Sequence, residues 1–264
     1  MNAVAGPVRI GIDLGGTGTR FVAVDESGAV VARSAFATPT GIAPDAARSF
    51  LVQHARAVAS GRPIVAVTAS LSMRTGAALF EAHCGAAAGY DSVLMVTLGT
   101  GVGVAALQPT GPVRGADGTH PEAGHLSVTG AEAPCYCGRA ACWEQLVSRA
   151  ALQRAAGSVL PSPTGTPADI DTAAEMAARS DPDAVAVFDA FGRHLAEGLA
   201  DLLTVFRSSC VVLGGSAAKY RPAYGPALER RLAHVDVYRA TPPVLVSAAG
   251  DFGGAIGAAL LGPG

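Results

Sequence analysis

Apolar runs of strand length and segments of helical period interleave along the chain. Residues 8–14 (VRIGIDL) read as a buried strand ending in the glycine turn GGTGT, and 20–25 (RFVAVD) and 29–36 (AVVARSAF) as two further strands joined at ESG. The segment 43–60 has helical spacing, 63–69 (PIVAVTA) predicts another buried strand, and 75–88 predicts a helix. Residues 92–98 (SVLMVTL) predict a strand entering a second glycine turn, GTGVG. From about 108 to 142 the pattern dissolves into a loop-rich stretch that carries histidines and cysteines. Helices are predicted at 143–156, 168–180 and 183–207, the first two separated by the breaker cluster SVLPSPTGTP. A strand at 210–213 enters a third glycine turn, GGS; a short strand at 243–247 then precedes a small-residue helix near 251–261. The pattern is α/β, with no sequence repeat and no low-complexity tail.

Composition narrows the classes of function. Of 264 residues half are apolar, enough for one large domain or two modest lobes, while charged residues make up 15 % and the formal net charge is −2. Lys219 is the only lysine, and no basic surface for nucleic acid or polybasic membrane anchor is visible. The opening MNAVAGPVRIGID has no charged leader before a long apolar stretch, and no apolar run is long enough for a membrane span, so a soluble, cytoplasmic protein is expected. The five cysteines are Cys84, Cys135, Cys137, Cys142 and Cys210; an odd number with three inside eight positions fits metal binding better than a disulfide framework.

The three turns share one logic. Glycine lets backbone N–H groups come close to an anion. In Ile10 to Arg20, Asp13 at the strand end can orient a hydrated magnesium ion beside Gly15, Gly16 and Thr17. Leu98 to Gly103 repeats the arrangement with Gly99, Thr100 and Gly101, Thr100 offering a hydroxyl. Gly214 and Gly215 in VVLGGSA suit packing against the adenosine part of a nucleotide. A single strand followed by glycines is most often just a tight connection; three such turns in order make a stronger case. They fit neither a dinucleotide fingerprint, since no long helix follows in a βαβ unit, nor a P-loop, since no lysine follows the first two turns.

The most specific stretch is EAGHLSVTGAEAPCYCGRAACWE, Glu122 to Glu144. His125 with Cys135, Cys137 and Cys142 makes one nitrogen and three thiolates, a set suited to a closed, structural tetrahedral zinc site. The bland alternative is three buried or free thiols near an unrelated histidine. Cys84 and Cys210, on apolar segments, are expected to be small core residues.

Together the turns and the cysteine loop resemble the ROK family of sugar kinases and repressors over nearly the whole chain. The resemblance implies an actin-like, hexokinase-type fold of two α/β lobes around a central cleft. Residues 1–88, completed by the C-terminal helix at about 249–264, would form the first lobe and 89–248, with the zinc loop, the second. It implies ATP and magnesium as cofactors beside structural zinc, a sugar, aminosugar or sugar phosphate as ligand, and a homodimer as a compatible assembly. Glu122, His125 and Glu144 fall where the family contacts sugar hydroxyls, as suits a carboxylate, which can accept two hydroxyl bonds. Only nine residues precede Ile10, too few for the helix-turn-helix of the repressor branch.

Three departures set this chain apart from the pattern it resembles. The family aspartate that takes the proton from the attacking hydroxyl falls at Met73, within Ser72 to Thr75, and neither neighbouring register supplies a carboxylate. A strand, a Pro-Gly turn and a sugar-binding loop expected between the helix at 43–60 and the strand at 63–69 are missing. His120 and Pro121 replace small residues; His120 is either a substitute base, since histidine titrates near neutrality, or a solvated loop residue. The expected function is sugar or sugar-phosphate binding on a sugar-kinase scaffold, with phosphoryl transfer as the default chemistry. An enzyme of another reaction class using Arg74, His120, Glu122 and Glu144, or a non-catalytic regulatory protein, are the alternatives.

Overall fold

The structure, a computed structural model, describes residues 6–14, 18–70, 73–131, 134–235, 241–248 and 250–260. The chain begins with β1 (Val8–Leu14), β2 (Gly18–Val24), β3 (Val30–Ala37), α1 (Pro44–Ala59), β4 (Ile64–Ser70) and α2 (Met73–Cys84). It continues through β5 (Val93–Leu98), β6 (Val102–Gln108), β7 (Gly111–Pro112), α3 (Glu144–Val147), α4 (Arg149–Ser158), α5 (Ala168–Ala178) and α6 (Pro182–Phe206). The last elements are β8 (Cys210–Gly214), α7 (Arg221–Leu232), β9 (Val244–Val246) and α8 (Gly253–Leu260). Contacts divide the chain into two units, Met1–Gly89 with Ala248–Gly264, and Tyr90–Ser247.

The first unit is built on a sheet of order β3-β2-β1-β4, with β1 antiparallel to β2 and parallel to β4. Val8, Ile10, Ile12, Phe21 and Ala23 face α1, while Val22 and Val24 pack with Ala255, Ile256 and Ala259 of α8. Close approach explains the glycines here: a Cβ on Gly11 would strike the Ala255 carbonyl, and one on Gly257 the Gly76 carbonyl of α2. α1 starts with proline at its first turn and ends at Ser60 in the left-handed region, φ 51°.

The second unit carries a sheet of order β7-β6-β5-β8-β9, with β5 antiparallel to β6 and parallel to β8. Both sheets thus flank their first strand with an antiparallel partner on one side and a parallel one on the other. α6 runs under this core: the Asp181 side chain caps it by accepting from the Ala184 N–H, and Phe188, Leu195, Leu199 and Leu202 are buried along one face. No helix among the described residues is long and apolar enough to cross a membrane.

Four local features differ from the sequence reading. β6 has no counterpart there, because VGVAALQ dilutes its apolar run with glycine and alanine, poor strand formers rescued here by full burial between β5 and β7. α7 has none either; Pro222, Gly225 and Pro226 argue against a helix, but Pro222 lies in its first turn and Tyr224, Leu228 and Leu232 are buried. The helix expected at 143–156 is broken at Ser148, which turns extended and caps α4 by accepting from the Ala151 N–H. Cys210 is buried as expected, but Cys84, at the end of α2, is exposed rather than a core residue.

Candidate metal centre and glycine turns

His125 closes a short 3-10 turn, and Cys135, Cys137 and Cys142 follow in the loop leading to α3. Their four ligand atoms all lie within 4.8 Å of one another. Cys137 Sγ is 3.5 Å from Cys142 Sγ, and Cys135 Sγ is 3.7 Å from His125 Nδ1. The edge of a tetrahedron with metal–sulfur bonds of about 2.3 Å is about 3.8 Å, so the cluster has the size of a Cys₃His zinc site. Four protein ligands leave no open position, which makes such an ion structural. Burial pushes the Cys142 thiol up to about 12, an opposition that a bound cation would overcome, since it binds the thiolate. With Nδ1 turned to the cluster, His125 presents Nε2 on its other side, 3.3 Å from the Tyr136 hydroxyl.

Glu144 opens α3 two residues after the last cysteine and is buried. Its Oε2 accepts from the Val102 N–H at 3.3 Å, while Oε1 lies 3.7 Å from both Cys135 Sγ and His125 Nδ1. One carboxylate therefore touches the metal cluster and the second glycine turn together. That turn is closed by the Gly99 N–H donating to the Gly101 carbonyl at 3.0 Å, and its Gly99 carbonyl accepts from the Arg149 N–H at 2.7 Å. Thr100 and Gly101 are exposed at its tip.

The third turn lies beside the second, because β5 and β8 are parallel neighbours in which Thr97 pairs with Gly214. Gly215 has φ +78°, and a Cβ there would sit 2.6 Å from the Leu98 carbonyl oxygen, so glycine is required twice over. The Leu98 carbonyl also accepts from the Ala217 N–H at 3.1 Å. Two glycine turns at the carboxyl ends of adjacent parallel strands form the usual ligand-binding edge of an α/β sheet.

Asp13 belongs to the first unit, at the end of β1, and pairs in register with Ser70 at the end of β4. Its carboxylate is buried against Gly254, with no hydrogen-bond partner for either oxygen among the described residues. Burial raises its pKa from the ordinary 3.8 to about 6, partly offset by Arg20. A buried carboxylate without a donor suits a cation or its water shell. Gly15, Gly16, Thr17 and Ser72 lie outside the described residues. Met73 begins α2, three positions after Ser70 ends β4; its side chain and that of Arg74 are outside the described part.

His120 is not a solvated side chain: it is largely covered, and its Nε2 lies 3.2 Å from Glu122 Oε1. Glu122 also precedes the 3-10 turn of His125, accepting the His125 N–H through its carbonyl at 3.0 Å. Three participants escaped the sequence reading. Tyr136 stacks edge-on against the His125 ring at 5.3 Å between centroids, Arg139 donates to the His125 carbonyl at 2.6 Å, and Arg149 holds Gly99 through its backbone. Tyr136 could have been noted, as an aromatic between two predicted ligands; the other two are contacts to backbone, which leave no trace in residue type.

A profile of the ROK family matches residues 71–264. The glucokinase of Streptomyces coelicolor is 28 % identical over 258 residues, covering 78 % of this chain and 81 % of that protein. Among solved structures, a ROK family glucokinase from Streptomyces griseus, in complex with glucose and AMPPNP, has a TM-score of 0.79 at 26 % identity, covering 97 % of this chain and 99 % of that one. The ROK hexokinase of Thermus thermophilus has a TM-score of 0.75 at 25 % identity, covering 96 % and 97 %.

Proposed function

This chain belongs to the ROK family, and on that premise we propose that it binds a sugar or sugar phosphate and phosphorylates a sugar hydroxyl from ATP, slowly compared with an orthodox glucokinase. The observation that carries this reading is the placement of Glu144, whose carboxylate touches both the His125 cluster and the Gly99–Gly103 turn. Groups able to hold sugar hydroxyls thus stand beside a turn able to hold phosphate. The S. griseus glucokinase, solved with glucose and an ATP analogue, supports the same assignment.

In this reading Glu122, His125 Nε2 and Glu144 orient the sugar, and Gly99, Thr100 and Gly101 receive phosphate through backbone N–H groups and a hydroxyl. Gly214 and Gly215 pack the adenosine part. Asp13, with Gly15, Gly16 and Thr17, would hold magnesium and phosphate; when bound, the ion supplies neutralisation of the transferring group's charge. Zinc would brace the loop from His125 to Cys142. On the resemblance, the family aspartate falls at Met73, and a sugar-binding loop would be missing from the link between α1 and β4, residues 60–63. His120, held by Glu122, is the candidate to accept the hydroxyl proton in its place.

The test is calorimetric binding of magnesium–ATP with and without hexoses, aminosugars and hexose phosphates, followed by a turnover assay with the best pair. Nucleotide binding strengthened by one sugar, and product formed from that pair, is the expected result. No nucleotide binding by the folded, zinc-loaded protein would overturn the reading. Binding without turnover would favour a non-catalytic role, to which the replacement at Met73 also points.

A further inference from the structure

We propose that Glu144 is a positioning residue that couples metal occupancy of the His125–Cys135–Cys137–Cys142 site to the shape of the Gly99–Gly103 turn, so that zinc and nucleotide phosphate bind cooperatively. The inference rests on reading that turn as a phosphate cradle.

The run from Cys142 to Arg149 grips the turn at both shoulders. On one side Glu144 Oε2 accepts from the Val102 N–H at 3.3 Å and stands 2.8 Å from where a Cβ on Gly101 would be. On the other the Arg149 N–H donates to the Gly99 carbonyl at 2.7 Å. The same run is tied to the cluster at its start, since Cys142 is a ligand and Glu144 Oε1 lies 3.7 Å from both Cys135 Sγ and His125 Nδ1. Trp143, between ligand and carboxylate, is fully buried; its N–H donates to the Leu126 carbonyl at 2.9 Å and its Nε1 to the His194 carbonyl at 2.8 Å. Trp143 therefore fixes this short run to the core, while the exposed residues 136–140 give the cysteine loop almost no core of its own. Without an ion, the Cys135 and His125 side chains meet Glu144 Oε1 only at 3.7 Å. The bonds that remain to this loop, from Arg139 to the His125 carbonyl and from the Cys135 N–H to the Arg139 carbonyl, hold its backbone rather than these side chains, so the frame that aims the other carboxylate oxygen at Val102 is loosened. A ligand that needs the turn in its closed form then binds more weakly, and by linkage must itself tighten the metal.

The chain contains a single tryptophan, and it is Trp143, so intrinsic fluorescence reports the coupling segment directly. The experiment is calorimetric titration of magnesium–ATP, with sugar left out so that the role of Glu144 toward hydroxyls does not enter. It is carried out on zinc-loaded and chelator-stripped wild type, and on zinc-loaded and stripped Glu144→Ala. We expect stripping to weaken nucleotide binding by wild type about tenfold, within the usual range of allosteric coupling. Zinc-loaded Glu144→Ala should keep one zinc per chain, bind nucleotide about as weakly as stripped wild type, and show no further zinc dependence. Glu144→Gln, which retains an acceptor oxygen for Val102, should recover most of the coupling. In the reciprocal measurement, magnesium–ATP should slow zinc loss to a chelator in wild type, followed by Trp143 fluorescence, a test that needs no variant to fold. Equal nucleotide affinity of loaded and stripped wild type, no protection of zinc by nucleotide, or full zinc dependence in Glu144→Ala overturns the coupling. If zinc-loaded wild type binds no nucleotide at all, the phosphate reading of the turn falls and the coupling falls with it, a result distinct from nucleotide binding that ignores zinc.

Discussion

A Cβ on Gly198 of α6 would run into the indole ring of Trp143, so a bare backbone at position 198 is what lets the tryptophan pack against α6. Trp143 is fully buried there and fastened through Nε1 to the His194 carbonyl, one turn earlier. Helix propensity alone would favour alanine at 198 by about 1 kcal/mol. Overpacking a rigid aromatic costs about 1–3 kcal/mol, and the collision here is with ring atoms that cannot turn aside. Taking the upper end of that range, about 3 kcal/mol, less about 1 kcal/mol of propensity, Gly198→Ala should lower stability by about 2 kcal/mol, or roughly 4–8 °C in Tm for a unit of this size. Thermal unfolding followed by tryptophan fluorescence measures it, and an unchanged or higher Tm would contradict the packing described.

The cluster of His125 with three cysteines predicts one zinc per chain by metal analysis. Chelation should lower the unfolding temperature, and loss of zinc on acidification should follow protonation of the ligands, because the ion binds thiolates and a neutral imidazole. Cys142→Ser removes a fully buried ligand and should abolish stoichiometric metal while leaving the strands of both sheets intact by circular dichroism. Cys84→Ser, at an exposed thiol far along the chain from the loop, should leave metal content unchanged.

The strands and the metal ligands were legible because their signal is in residue type and spacing: VRIGIDL and SVLMVTL have the apolar density of buried strands, and Cys135, Cys137 and Cys142 the spacing of a metal loop. β6 and α7 were not, because tertiary burial overrode poor local propensity at Gly103, Pro222 and Pro226. The link from Glu144 to Val102 was hidden for another reason. A carboxylate bonding to a backbone N–H forty-two positions away leaves no pattern in the side chains, and only the pairing of β5 with β6 brings that N–H within reach. The buried state of Asp13 was hidden likewise, since it depends on Gly254 near the other end of the chain.

Gly215 offers a sharper test of the third turn than of the fold as a whole. Its φ of +78° and the 2.6 Å approach to the Leu98 carbonyl mean that alanine is strained twice. Gly215→Ala should cost about 2–3 kcal/mol in stability, combining backbone strain with the displaced contact. Because Leu98 leads into the Gly99–Gly103 turn, nucleotide affinity should fall in the same variant. Calorimetry at a temperature where the variant remains folded separates the two effects; an affinity equal to wild type would detach this turn from nucleotide binding.

Restoring a carboxylate at position 73 tests the proposed chemistry directly. Met73 stands at the start of α2, where the resemblance places the family base, and general-base catalysis is worth about 10²–10⁴-fold. Met73→Asp should raise phosphorylation of the best sugar by at least about tenfold, with little change in nucleotide affinity. His120→Ala, by contrast, should lower the rate of wild type but matter less when combined with Met73→Asp. A Met73→Asp rate no higher than wild type would mean that a carboxylate at position 73 is not what limits the reaction.

Asp13 makes stability depend on pH in the direction opposite to that of a paired carboxylate. Its folded pKa, raised by burial to about 6, exceeds the ordinary 3.8, so between these values the folded state holds a proton that the unfolded state has released. Stability must then fall as pH rises from about 4 to about 6 and stay low above it, by roughly 3 kcal/mol in total from this group. Asp13→Asn has nearly the same shape and no titration, so its profile should lack that decline, and the variant should gain on wild type as pH rises. Subtracting one profile from the other removes the contribution of every other group. Urea unfolding at pH 4, 5, 6 and 7, without divalent cations, provides both profiles. Magnesium–ATP should restore stability to wild type at pH 7, because a cation beside the carboxylate offsets its desolvation, and should do much less for Asp13→Asn. If the two profiles run parallel, Asp13 is ionised at ordinary cost in the folded chain, and the case for a cation beside it disappears.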